Sequence, residues 1–156
     1  MDSKLTDDGL LKVTGGDEPI IMAGGMAVDD RGSLSFVQHF DFEGVKRFYQ
    51  VSNHKRGFVR AWHGHKKEAK YVYACRGTAM VGLVKMGEEN ETPSTFILSS
   101  NKPEVLFIPP GYYNGFQTLE EGTILMFFST ATLGESMNDD IREDWNTWDI
   151  WGDCYR

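Results

Sequence analysis

The chain has 156 residues, of which 40% are hydrophobic and 25% are charged, and its formal net charge is −7. This length and composition predict one globular domain with its own core, and the acidity argues against binding to nucleic acids or anionic membranes. No apolar run approaches the roughly 20 residues that span a bilayer. The acidic start and two distant cysteines, Cys75 and Cys154, predict a cytoplasmic protein without a targeting segment or disulfide framework.

In chain order, residues 1–28 show little regularity beyond a short apolar run at 20–22, and we expect an N-terminal arm. From 29 to 137, short strand-like segments separated by Gly, Pro, Asn and Asp predict an all-β sandwich or barrel. The expected strands are 33–40, 45–52, a central strand from 59, 71–75, 78–86, 94–98, 105–108, 113–118 and 123–130.

The end of the chain, residues 138–156, departs from this strand pattern. Asp139 and Asp140 are residues that cap helices, and a stripe of apolar residues follows at helical spacing. These are Ile141, Trp145, Trp148 and Trp151. We therefore expect a short C-terminal helical tail packed on the barrel, with a dimer contact as the alternative, because exposed Trp is rare without a partner.

Positive charge is concentrated between residues 46 and 76, where nine basic residues accompany a single acidic one, Glu68. Arginine and lysine side chains bind phosphate oxygens, arginine through a planar fork of donors. The segment predicts either a pocket for a small polyanion such as a diphosphate or a solvated basic surface. The basic residues are Lys46, Arg47, Lys55, Arg56, Arg60, Lys66, Lys67, Lys70 and Arg76.

The central strand carries two histidines, His63 and His65, at a spacing that places both side chains on one face. Arg60 faces the opposite side unless a twist or bulge precedes His63. Two imidazoles on one face can bind a metal ion or exchange protons with a substrate. The residues alone leave both alternatives open.

The layout resembles the two motifs of the cupin family, which place three His and one Glu on a metal inside a small barrel. The matching residues are Gly57, His63, His65, Gly77, Pro109 and Gly111. Ala69 and Lys70 occupy the place of the motif Glu, and Asn114 occupies that of the third His. Because a cation does not belong in a metal's first shell and a tight site needs three or four donors, we expect no metal.

A metal-free cupin with this pattern resembles the dTDP-4-dehydrorhamnose 3,5-epimerase family, and the resemblance runs from about residue 29 to 130. The matching elements are Asp30-Arg31-Gly32, Gln50 with Asn53-His54, Val59-Arg60-Ala61-Trp62-His63, Lys70, and Ile108-Pro109-Pro110-Gly111-Tyr112-Tyr113-Asn114-Gly115-Phe116. The resemblance implies a jelly-roll β-sandwich, a homodimer, no cofactor, and a nucleotide-linked 4-keto-6-deoxy sugar as substrate, most often dTDP-linked. It also implies a role in deoxysugar and surface-polysaccharide biosynthesis, including lipopolysaccharide.

The resemblance also implies roles for individual residues. His63 is the expected base that removes the proton next to the ketone, and Lys70 stabilises the enolate oxygen. Arg60 and Arg31 are expected to bind the diphosphate. Gln50 and Asn114 lie at two further matching positions, and they too are expected to bind the substrate.

Two departures point to other members of the superfamily. Phe127 occupies the position of the Tyr that acts as the catalytic acid in the family. His65 occupies a position where the family has Gln. The segment Arg60-x-x-His63-x-His65-Lys66-Lys67 is similar to the motif of nucleotide-sugar 3,4-ketoisomerases, which use a His pair as a proton shuttle. In that reaction Tyr49 would add a hydroxyl to the relay. We favour epimerisation and keep two alternatives, 3,4-ketoisomerisation and a non-catalytic sugar-nucleotide-binding cupin.

Overall fold

The structure, a computed structural model, describes residues 4–5, 11–12, 16–42 and 44–152. The strands are β1 (Lys4–Leu5), β2 (Leu11–Lys12), β3 (Ile20–Ala23), β4 (Gly25–Asp29), β5 (Gly32–Phe36), β6 (Arg47–Ser52), β7 (Val59–His65), β8 (Lys70–Arg76), β9 (Thr78–Lys85), β10 (Ser94–Ser99), β11 (Glu104–Ile108), β12 (Tyr112–Thr118), β13 (Ile124–Ser129) and β14 (Ile141–Arg142). The helix α1 spans Leu133–Met137. No helix in these described ranges is long and apolar enough to cross a bilayer.

Two antiparallel five-stranded sheets face each other. One has the strand order β10-β9-β12-β7-β14, and the other has the order β3-β11-β8-β13-β6. The core between them includes Leu83, Leu106 and Leu125, each at most 1% exposed. Each such leucine contributes about 2 kcal/mol by burial. The expected strands are therefore found, because alternating apolar residues bury one face of each strand.

The short apolar run at 20–22, placed in the expected N-terminal arm, belongs to β3, which pairs with β11 at the edge of the second sheet. The β4–β5 hairpin follows, with Asp29 paired opposite Gly32 at its turn. Along this hairpin Met26, Val28 and Leu34 are exposed, Val28 by 73%. The hairpin is thus a ribbon with apolar side chains that the described residues of its own chain leave exposed.

The tail corrects the prediction of a helix within residues 138–156. The helix α1 ends at Met137, earlier than expected, and β14 then pairs with the edge of β7. Asp139, expected to cap a helix, instead accepts backbone N–H hydrogen bonds from residues 66, 67 and 68 at 2.8–3.0 Å. Free backbone groups on an edge strand offer the tail more hydrogen bonds than a short, isolated helix would.

The tryptophans of the tail pack on the outer face of the first sheet. The Trp148 and Trp151 rings lie 5.4 and 5.1 Å from the ring of Trp62. Gly82 permits this contact, because a Cβ there would lie 2.7 Å from the Trp62 ring. Trp145 stays 52% exposed. The expected packing of the tail on its own barrel is therefore observed, although the tail residues that the structure describes, 138–152, form no helix. Cys154 lies outside the described residues.

Candidate active site

A cavity of about 270 Å³ lies between the two sheets and is closed on one side by α1 and the start of the tail. Six of the predicted site residues line it: Tyr49, Arg60, His63, His65, Lys70 and Asn114. Four of them, Tyr49, His63, His65 and Lys70, form the predicted catalytic set, and each can carry or exchange a proton. The structure therefore brings this set together in one cavity.

A β-bulge brings Arg60 into this group. Asn114 is paired with His63 and Phe116 with Arg60, so two steps along β12 match three steps along β7. The extra residue on β7 reverses the alternation of its side chains, and Arg60 lines the same cavity as His63 and His65. A bulge before His63, one of the two conditions under which Arg60 could face the same side as the histidines, is therefore present. It contains a cis peptide bond between Ala61 and Trp62.

His63 is held neutral at physiological pH. Burial first, and then the charges of Lys70 and Arg142, lower the pKa of His63 to about 4. Its strand is fixed from the neighbouring β12, where the Asn114 amide donates a hydrogen bond to the His63 carbonyl at 3.1 Å. A neutral imidazole that faces a cavity has a lone pair with which to accept a proton.

His65 is bound more tightly to the protein than His63. Its Nδ1 lies 2.8 Å from the Asp139 carbonyl oxygen and 3.1 Å from a carboxylate oxygen of Glu68. Burial and the charge of Lys70 lower the pKa of His65, while Glu68 and the Asp139 carbonyl act in the opposite direction. The second imidazole is thus also predominantly neutral near pH 7.

Lys70 enters the cavity from β8 and is 7% exposed. Burial lowers the pKa of its ammonium, and the charge of Glu68 opposes that effect. The Lys70 ammonium makes no hydrogen bond or ion pair with any other residue that the structure describes. It is therefore available to an oxygen atom of a bound molecule.

Tyr49 and Phe127 form the wall of the cavity that belongs to the second sheet. They are cross-strand partners on β6 and β13, and their rings are stacked 5.0 Å apart with an interplanar angle of 3°. Burial and the charge of Glu68 raise the pKa of Tyr49, so that its hydroxyl remains protonated. Of these two stacked side chains, only Tyr49 carries a hydroxyl that can donate a proton.

Two predicted binding residues are not brought to the cavity. Gln50 follows Tyr49 on β6, where alternate residues face opposite sides, and its side chain points away from the core. Arg31 lies at the turn of the β4–β5 hairpin, where its side chain is 86% exposed and paired with Asp29. The sequence pattern did not account for the projection of that hairpin away from the cavity of its own chain.

The structure adds three charged residues to the site beyond the predicted catalytic and binding residues, and one of them, Arg47, belongs to the basic segment noted in the sequence. Arg47 lines the cavity from β6, and Asp140 and Arg142 line it from the tail. Arg142 is paired with Asp140 at 2.8 Å. Only the pairing of β14 beside His63 places these two residues here, and the helix expected at this point concealed that pairing.

The donor set does not suit a metal ion. In the described ranges, no group of three or more His, Cys, Asp or Glu side chains is arranged to bind one. Lys70 and Asn114 line the cavity at the places where a cupin has its remaining ligands. An ammonium cannot ligate a cation.

A family model described as dTDP-4-dehydrorhamnose 3,5-epimerase matches residues 19–151. The chain belongs to that family. Membership confirms the predicted activity class, an epimerase or isomerase of nucleotide-linked 4-keto-6-deoxy sugars. The matched range includes every residue that lines the cavity.

The similar solved structures include both a 3,4-ketoisomerase and an epimerase, the two enzyme activities that the sequence analysis left open. A spore coat polysaccharide biosynthesis protein of Bacillus subtilis (strain 168), SpsL, is 27% identical over 124 residues, covering 76% of this chain and 82% of the relative. A 3,4-ketoisomerase from Helicobacter canadensis is similar in structure, with a TM-score of 0.66, 23% identity, and coverage of 85% of this chain and 96% of that chain.

A second solved structure is similar with a TM-score of 0.72 and 16% identity, covering 92% of this chain and 78% of its own. It is ChmJ, a 3'-monoepimerase from Streptomyces bikiniensis, in complex with dTDP-quinovose. Together with the two packed sheets, these similarities confirm the predicted cupin-type β-sandwich.

Proposed function

We propose that this protein epimerises a dTDP-linked 4-keto-6-deoxyhexose at a carbon next to the ketone, without a cofactor. The observation that carries the proposal is that His63 and Tyr49 line one cavity from opposite sheets. Epimerisation requires that a proton leave one face of the sugar ring and return to the other. An imidazole on one wall and a phenol on the other supply that arrangement.

His63 acts as the base. Because its pKa is about 4, the imidazole is unprotonated near neutral pH and takes the proton on the carbon beside the ketone. Negative charge then develops on the ketone oxygen. The buried Lys70 ammonium stabilises that enolate, since a charge interaction is strong where water is excluded.

The proton returns from the opposite wall. Tyr49 keeps its hydroxyl proton because its pKa is raised, and the reactive enolate is basic enough to accept it. Tyr49 thus takes the place of the acidic Tyr that the family carries where this chain has Phe127. The two positions are directly paired across β6 and β13.

A second candidate, 3,4-ketoisomerisation, is favoured by a different observation. His63 and His65 are two residues apart on β7 and line the same cavity. Moving a ketone from C4 to C3 needs one group to take the C3 proton and a second to supply a proton at C4 through an enediol. Two neighbouring imidazoles on one wall meet that need.

Proton NMR of dTDP-4-keto-6-deoxyglucose incubated with the protein in heavy water tests the proposal. Epimerisation predicts loss of the C3 proton signal, with or without C5, and retention of the C4 ketone. A new signal from a proton-bearing C4, with the ketone at C3, would establish ketoisomerisation instead. Nucleotide binding measured by titration calorimetry, without any proton exchange, would indicate a binding protein.

Replacing Phe127 with tyrosine tests the assignment of the acid. Because the two rings are stacked, the added hydroxyl would lie beside the Tyr49 ring. This is the position at which the family carries its proton donor. We expect faster epimerisation in F127Y and partial rescue of the Tyr49→Phe variant. Rates are measured by the same NMR assay. If F127Y matches the wild type in rate and product, and Y49F does as well, no phenol on this wall returns the proton.

We further propose that the protein is a homodimer in which Arg31 binds the diphosphate in the cavity of its partner. A two-stranded ribbon is marginal in water by itself, and Val28 and Leu34 are exposed on it by 73% and 61%. Packing against a second copy would bury these side chains. The Arg31 guanidinium at the hairpin turn would then be free to leave Asp29 for a phosphate.

The Arg31→Gln variant is expected to raise KM about tenfold with kcat little changed, because a charge-assisted hydrogen bond to the substrate is lost. The Arg76→Gln variant, which alters an exposed arginine outside the cavity, serves as the control. Mixed dimers of R31Q and His63→Asn decide whether the contact crosses the interface. They should regain wild-type KM at one site of each dimer. Mixed dimers that keep the raised KM would contradict the arrangement.

A further inference from the structure

We propose that Glu68 is a positioning residue that holds His65 with its hydrogen on Nδ1 and its lone pair on Nε2, directed into the cavity. His65 then serves as a second proton acceptor beside His63. This inference rests on the proposed function, since it assumes that the cavity is where protons are exchanged with the substrate. It extends that function by identifying which atom of His65 reacts and what orients it.

The Glu68 side chain is fully buried and surrounded by donors. Ser136 Oγ donates to one carboxylate oxygen at 2.8 Å, and Arg47 donates to the other at 3.1 Å. Ser129 Oγ also donates to the carboxylate. Burial alone would raise the pKa of Glu68, but the Ser129 hydrogen bond, the charge of Lys70 and the Ser136 hydrogen bond hold it below its usual range. The side chain is therefore an anion with fixed geometry.

Both groups that contact His65 Nδ1 are acceptors. A backbone carbonyl has no hydrogen to donate, and the ionised Glu68 carboxylate has none either. The ring nitrogen within 2.8 Å of the Asp139 oxygen and 3.1 Å of the carboxylate must therefore carry the hydrogen. In the neutral ring the lone pair is then on Nε2. When Nε2 accepts a proton, the adjacent carboxylate stabilises the imidazolium that forms.

The loop that carries Glu68 is fixed from the tail. The Asp139 carboxylate accepts three hydrogen bonds from the backbone N–H groups of residues 66–68, at 2.8–3.0 Å. The backbone carbonyl of the same Asp139 contacts His65. One tail residue thus contacts both the imidazole and the loop that holds its carboxylate.

Charged or titratable groups surround His65 from several elements, and Arg142 of β14 lines the same cavity. The surrounding groups are Arg47 on β6, His63 on β7, Lys70 on β8, and Glu68, Asp139 and Asp140 from the adjoining loop and the tail. Burial and Lys70 lower the pKa of His65, and Glu68 is the first group that opposes them. Removing the negative charge of Glu68 should therefore lower the pKa of His65 still further.

The first test needs no substrate. In protein labelled with ¹⁵N-histidine, two-dimensional NMR at neutral pH should show His65 as the Nδ1–H tautomer, with a hydrogen-bonded, slowly exchanging proton. Assignment comes from the loss of that signal in the His65→Asn variant. If His65 carries its hydrogen on Nε2 in the wild-type protein, the proposal is wrong, whatever the substrate is.

The second test compares Glu68→Gln with Glu135→Gln, the same change at a half-exposed carboxylate of α1 outside the cavity. In E68Q we expect kcat to fall about tenfold or more with KM little changed, and the NMR titration of His65 to shift to lower pH. E135Q should leave both unaltered. Unchanged kcat and an unmoved titration in folded E68Q would reduce Glu68 to a structural role. A correct tautomer without turnover of any 4-keto sugar would refute the proposed function alone.

Discussion

Replacing His63 with asparagine should reduce turnover about 10³-fold or more, because His63 is the expected base that takes the proton next to the ketone. Asparagine keeps a polar side chain of similar size but cannot accept a proton near neutral pH. The diphosphate contacts expected for Arg60 do not involve the imidazole. We therefore expect the Kd for dTDP, measured by calorimetry, to change little, while deuterium exchange at the sugar carbon measured by NMR is lost.

The matched control for this prediction is His39→Asn, at an exposed position outside the cavity, which should turn over at the wild-type rate. A second signature of His63 is the pH profile. A base must be unprotonated, and the pKa of His63 is about 4, below the ordinary value near 6.5. The kcat/KM of the wild type should therefore stay flat through the usual histidine range and fall only as the pH approaches 4. Normal turnover by H63N would remove His63 from the mechanism.

The Lys70→Met variant should lower kcat about 10²- to 10³-fold, the cost of removing one group that stabilises an oxyanion in a buried site. Methionine matches the length of the lysine stem, so the cavity keeps its shape. Glu68, the nearest anion, retains Arg47, Ser129 and Ser136 as partners. The fold should survive the change, as checked by thermal unfolding, and the loss should appear in kcat more than in KM.

The control for this variant is Lys102→Met, whose side chain is 83% exposed and distant from the site. It should leave kcat unchanged. A further measurement separates electrostatic stabilisation from proton transfer. Arginine at position 70 restores the charge but cannot give up a proton, so partial activity of Lys70→Arg would support a purely electrostatic role. A K70M enzyme with the wild-type kcat would show that the enolate is stabilised by another group.

The strands were predictable because each buries one apolar face, which appears in the sequence as an apolar residue at every second position. The C-terminal helix was misplaced for a physical reason. Asp139 and the tryptophan spacing satisfy the local rules for a helix, but the free edge of β7 and the N–H groups of residues 66–68 are distant in sequence. Their hydrogen bonds outweigh a local preference of a fraction of a kcal/mol per residue.

The candidate site divides in a similar way. Residues on or beside the central strand, such as His63 and His65, could be identified from a motif because their spacing alone sets their relative direction. Arg142 and Asp140 could not, because they reach the cavity only through a strand pairing. Gln50 does not line the cavity of its own chain, because a matched position in a motif does not specify which face of an edge strand the residue takes.

The sequence by itself determined the class of fold, the family, and the histidines and lysine of the central segment. These features are local. Alternating apolar residues, turn residues and short motifs can be recognised without knowing which distant segments pack against them. The tertiary structure alone decided that Arg60 joins the histidines through a bulge, that Arg31 lies outside its own cavity, and that Glu68 and Asp139 orient His65. These depend on contacts between segments that are distant in sequence, and the contacts of Asp139 with residues 65 and 67 join positions more than 70 residues apart. Such contacts are set by how the two sheets and the tail pack together.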